Sequence, residues 1–72
     1  MYRYLPFKER LYSDDLGYYE TFGIKVLDEN NQEILSISDV TLDKLLITDF
    51  CKKCSNEHLS PIHLIEVLDD VL

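Results

Sequence analysis

The chain has 72 residues, 46% of them hydrophobic, and a formal net charge of −7 from 14 acidic against 7 basic side chains. That length leaves no room for a second domain, so residues 1–72 are expected to form one. The charge argues against DNA or RNA as a partner, because phosphate binding needs a cationic face.

A domain this small buries only roughly 60% of its unfolded surface, and such domains often gain stability by oligomerising or from disulfides or metal. Two cysteines are too few for a secreted disulfide scaffold, and Met1 is followed at once by strand-like sequence in place of a signal peptide. No apolar run approaches the roughly 20 residues of a membrane span. A soluble, cytoplasmic protein without membrane association is the expectation. Charge is uneven along the chain. Arg3, Lys8 and Arg10 lie near the N-terminus, whereas the segment from Ser55 onward carries only Glu57, Glu66, Asp69 and Asp70. Acidic helix faces usually serve solubility.

Residues 2–12 alternate as a strand does, with Leu5, Phe7 and Leu11 to one side and Tyr2, Tyr4, Lys8, Arg10 and Tyr12 to the other. Pro6 cannot donate to a ladder, which places this strand at a sheet edge. A four-residue loop Asp14–Gly17, with Gly17 left-handed, sets Phe7 opposite Ile24 and Leu5 opposite Val26. Tyr18–Asp39 reads as a hairpin turning at Asn30-Asn31. A two-residue loop pairs Val26 with Leu35, Ile24 with Ile37 and Leu27 with Ile34, apolar against apolar on both faces. Gly23 in mid-strand marks a bulge, strong twist or close approach of other atoms.

After Asp39 the period changes to about 3.6. Thr41 is the expected N-cap of a helix, with Asp43 in its first turn and an apolar arc of Leu46, Ile47, Phe50, Cys51 and Cys54, ending near Asn56. Ser60-Pro61 signals a second helix that runs to Leu72 and tucks its Val71-Leu72 end against the rest. The expected fold is α+β, a three-stranded antiparallel β-meander followed by two α-helices packed on one face, βββαα. Val26, Leu35, Ile24, Ile37, Phe22, Phe7 and Phe50 are the expected core.

Tyr19, Thr21, Phe22, Gly23 and Ile24, then Ile37 and Asp39, then Ser60-Pro61-Ile62-His63-Leu64, resemble a small clostridia-type bacterial family that carries only a domain-of-unknown-function label. The resemblance spans nearly the whole chain. It implies the same fold, and brings no activity, cofactor or catalytic residue.

Cys51-x-x-Cys54, His58 and His63 supply zinc-ligand types close together. The spacing is poor, since only three residues separate Cys54 from His58 and the cysteines sit on a helix's apolar arc. Free cysteine is a small, often buried hydrophobe. A thioredoxin-like role needs the attacking sulfur at a helix N-terminus, and these lie in the C-terminal half. His63 at the third position of its helix can reach back to Ser60 as a capping-box residue does, and His58 is expected in an exposed loop. Asp14-Asp15 and Asp69-Asp70 make poor catalytic dyads, and two glycines cannot build a phosphate loop.

The expected function is therefore non-catalytic: a protein-binding or self-associating domain, without metal, cofactor or small-molecule substrate. One alternative is a small acidic inhibitor that imitates nucleic-acid charge; another is a CxxC/His metal or redox protein. The expected interface is the sheet face away from the helices, with Tyr2, Tyr4, Tyr12, Tyr19, Leu27 and Ile34 exposed on it, and a homodimer as the simplest partner.

Overall fold

The computed structural model describes residues 1–71. Three antiparallel strands lie in the order β1 (Arg3–Ser13), β2 (Gly17–Leu27), β3 (Glu33–Thr41), followed by helix α1 (Lys44–Asn56), a 3₁₀ turn (Pro61–His63) and helix α2 (Leu64–Val71). The fold is the expected βββαα meander, with the helices on one face of the sheet. Leu72, the expected end of the second helix, lies outside the described residues, and Val71 beside it is exposed.

The β1–β2 register differs from expectation by one residue. Ser13 pairs with Gly17 across Asp14–Leu16, so Tyr4 opposes Val26 and Pro6 opposes Ile24. Side chains alternate with period two, so this single step exchanges the faces of the whole strand. Tyr4 is the consequence: it is 2% exposed in the core beneath the helices, and Tyr2 packs beside it. Leu5, Phe7 and Leu11 lie half-buried on the outer face. Phe7 covers Gly23 there. A Cβ on Gly23 would fall 2.5 Å from Phe7 Cζ and closer still to the Ile37 carbonyl oxygen, which is why glycine occupies this position.

In the second hairpin Ile24 meets Ile37 and Val26 meets Leu35, as the apolar pattern requires. The route to that register is different. Asp28 N–H donates to the Gln32 carbonyl and Asn31 takes φ +63°, making a three-residue loop, Glu29–Asn31. The Asp28 carboxylate accepts from the amides of Asn30 and Gln32 at 2.8 and 3.0 Å. Such a loop alone would set Val26 opposite Ile34. A bulge at Ile34 absorbs the extra residue, leaving Leu27 opposite Glu33 in place of Ile34. Phe22, Leu35 and Ile37 are half-buried at the border of the core.

Helix α1 begins two residues later than Thr41 suggested. The Asp43 carboxylate caps it by accepting from Leu46 N at 3.1 Å, and Thr41 Oγ accepts from Asp43 N at 3.2 Å. Its C-terminus is a Schellman turn. His58 takes φ +53°, Leu59 N–H reaches the Cys54 carbonyl at 3.1 Å, and His58 N–H reaches Ser55 at 3.3 Å. The second helix opens as a 3₁₀ turn behind Ser60 and Pro61 before α2 takes over. Ile24, Val26, Tyr4, Ile47, Phe50, Cys51, Cys54, Leu64 and Leu68 form one core.

Candidate functional site

Three places gather polar or aromatic chemistry, the first two set by the strand registers and the third by helix α1.

The first is the far end of the β1–β2 hairpin. β2 pairs with β3 only from Phe22 to Leu27, so residues Gly17–Thr21 run on with β1 as a two-stranded ribbon. On its helix side, beyond the helices, stand Tyr12 and Tyr18, 62% and 68% exposed. Their rings meet edge-to-face with centroids 5.2 Å apart, and the Arg10 guanidinium lies 4.7 Å from the Tyr18 centroid. Lys8 and Glu20 form an ion pair at 2.8 Å, and that hydrogen bond holds the Glu20 carboxyl below its ordinary value. Where β3 has ended, an open hollow of ≈ 420 Å³ borders Arg10, Tyr18, Tyr19 and Glu20.

The second is a hydrogen-bonded group on the outer face. Glu9 reaches from β1 across the central strand, and its Oε2 accepts from Ser38 Oγ at 2.7 Å and from Asp39 N at 2.8 Å. Asp39, at φ +54° in the irregular part of β3, accepts from Thr21 Oγ at 2.8 Å and from Tyr19 Oη at 2.9 Å. Hydrogen bonding to this carboxylate raises the Tyr19 phenol above its ordinary value. Thr21 is fully buried, and its hydroxyl also lies 3.1 Å from the Thr41 carbonyl. The Tyr19, Thr21 and Ser38 hydroxyls and the Asp39 amide all donate within the group, so it serves to pin the irregular part of β3.

The third is the cysteine pair. Cys51 and Cys54 are free thiols in the core, and burial pushes Cys51 from 9.0 up to about 12 and raises Cys54 as well. His58 and His63 are both exposed. The His63 side chain turns toward Glu66, 3.8 Å away, and only its backbone amide returns to Ser60. Among the described residues no three His, Cys, Asp or Glu side chains gather as a metal site.

Of the expected interface residues, Tyr2 and Tyr4 face the helices and are removed from any outer surface by the register of β1. Tyr12 is exposed, but on the helix side of the ribbon. Tyr19 and Leu27 are on the outer face, half-buried. Ile34 is exposed at its bulge. Arg10 and Tyr18 complete a cluster that the misplaced register had split between faces. Glu9 escaped notice because its partners lie two strands away, although Tyr19, Thr21 and Asp39 were all among the residues that carried the family resemblance.

Acidic side chains are scattered. Asp14 and Asp15 cap one end of the hairpins, Glu29 and Glu33 lie at the other, and Glu57, Glu66, Asp69 and Asp70 stand on the helical layer. Among the described residues no helix is long and apolar enough to cross a membrane. No match was found among curated proteins or among solved structures. A family model matches residues 1–72 from end to end, and the chain belongs to the family of unknown function DUF6514.

Proposed function

We propose that this is a non-catalytic, cytoplasmic protein-binding domain whose contact surface centres on Arg10, Tyr12 and Tyr18. The carrying observation is the pre-assembled aromatic–guanidinium cluster on a ribbon that projects past the helices and β3. Tyrosine and arginine are the side chains that dominate binding energy at protein interfaces, because they bring large rigid area and a hydrogen-bonding tip together. The ribbon's paired register holds these groups in place before any partner arrives, which lowers the ordering cost of binding.

The scattered acids favour this reading over imitation of nucleic acid, which needs carboxylates in phosphate-like rows. Burial of both thiols favours it over a redox or metal role, because a thiolate is the reactive and ligating form. A photocross-linking residue placed at Tyr12 in the cells that make the protein tests the reading. Cross-linked protein adducts are expected from that position and not from Leu45 on α1. Adducts that arise from Leu45 alone would overturn it.

A further inference from the structure

The free edge of β1 identifies what this surface holds. Tyr4 N–H donates to Ser55 Oγ at 3.0 Å, and the Tyr4 carbonyl accepts from the same hydroxyl at 3.4 Å. The main-chain groups of Tyr4 therefore point away from β2. The β1–β2 ladder is unbroken, so those of Pro6, Lys8, Arg10 and Tyr12 point the same way. Pro6 has no N–H to leave bare. Among the described residues, nothing hydrogen-bonds the outward groups of Lys8, Arg10 and Tyr12. Charged side chains usually guard such an edge. Here Lys8 is drawn to Glu20 and Arg10 to the Tyr18 ring, both inward over β2. The other sheet edge is different: β3 is interrupted at Ile34 and again between Ile37 and Thr41, leaving little regular strand to extend.

We propose that β1 pairs antiparallel with β1 of a second copy about a twofold axis at Leu11, joining the two sheets into one. This rests on the protein-binding reading above and names its partner. Outward residues must meet outward residues for the edge groups to bond, which restricts the register to steps of two. Centring on Arg10 sets two guanidinium groups opposite each other, and centring on Glu9 does the same with two carboxylates; both are unfavourable. Centring on Tyr12 gives a shorter overlap. Centring on Leu11 places Arg10 against the second copy's Tyr12 and Glu9 against Ser13, within the strand that ends at Ser13. It opposes no like charges and continues the guanidinium–aromatic row of each ribbon into the other. A twofold axis closes the pairing at two copies.

Sedimentation of the full chain at high micromolar concentration should show a dimer. Arg10→Pro removes an outward N–H, as Pro6 already does, without breaking the β1–β2 ladder, and should sediment as a folded monomer. Leu11→Cys should cross-link rapidly to itself under mild oxidation, because facing Cα atoms across an antiparallel pair lie within disulfide range. Glu9→Cys should not. A monomeric wild type, a dimer that survives Arg10→Pro, or Glu9→Cys cross-linking as fast as Leu11→Cys overturns the proposal. If Arg10→Pro fails to fold, the two cysteine variants decide. A wild-type monomer that still photocross-links to another protein through position 12 would sink the dimer and leave the binding reading intact.

Discussion

Tyr4 ties β1 to α1 and to the loop that follows it. Its ring fills the core, its backbone engages Ser55 of α1, and its hydroxyl donates to the Leu59 carbonyl at 2.6 Å. Tyr4→Phe keeps the packing and leaves that carbonyl short of a partner. The expected cost is about 1–2 kcal/mol in a urea titration, and an unchanged midpoint would show that water replaces the hydroxyl freely. Burial raises the Tyr4 phenol from 10.0 to about 12, with further contributions from Cys54 and Tyr2, and raises Cys51 from 9.0 to about 12. Both groups keep their protons in the folded chain over a range where the unfolded chain releases them. The part of the stability linked to these two groups should therefore be constant below the unfolded thiol's value and fall as pH rises through 9 toward 12. Cys51→Ala should make that alkaline fall shallower. Equal slopes in the two proteins, followed by denaturant titration, would remove the thiol from the account.

At the scale of the element, the end of α1 offers a substitution that improves the fold. His58 sits in the left-handed region at the position where a Schellman turn favours glycine. His58→Gly should relieve that strain and stabilise by about 1 kcal/mol, read as a higher Tm, whereas a lower Tm would mean that the imidazole makes a contact worth more than the strain. On the opposite face, Glu9→Gln weakens the acceptor that holds Ser38 Oγ and Asp39 N, at an expected cost of about 1 kcal/mol. Hydrogen exchange at the Asp39 amide should speed up while that at Val26 keeps pace with global unfolding. Uniform acceleration across the sheet would instead make Glu9 a general stability residue.

Element order and the Ile24–Ile37 and Val26–Leu35 pairs were legible because apolar residues repeat with the strand period and leave few ways to match. The face of β1 was not. Residues 2–12 carry leucine or phenylalanine on one side and tyrosine on the other, so both sides can fill a core, and one residue of loop length decides between them. The two possibilities differ at Tyr4, whose hydroxyl is tolerable inside only because the Leu59 carbonyl is there to accept it, and that carbonyl is remote in sequence. The Asp43 cap and the Ile34 bulge were hidden for a similar reason. Thr41 and Asp43 are both competent caps, and a bulge leaves no mark in the apolar pattern that it preserves. The candidate binding cluster inherited the error, since Arg10, Tyr12 and Tyr18 become neighbours only in the observed register.

The whole molecule measures 39 × 25 × 19 Å, long because the ribbon outruns its helical cover. Within it, the bond from Tyr4 to Leu59 joins residues 55 apart in the chain, whereas each hairpin closes over a few residues. Loop closure over such a span comes late, after the local hairpins have formed. Tyr4→Phe should then accelerate unfolding and leave the folding rate nearly unchanged, which stopped-flow measurement of both limbs would reveal. A slowed folding limb would place the strand–helix tie in the nucleus. On the ribosome the same span becomes a delay. The main-chain groups of Tyr4 on the β1 edge stay bare until Ser55 of α1 has left the exit tunnel, well after both hairpins can form, and over that interval they are offered to neighbouring nascent chains.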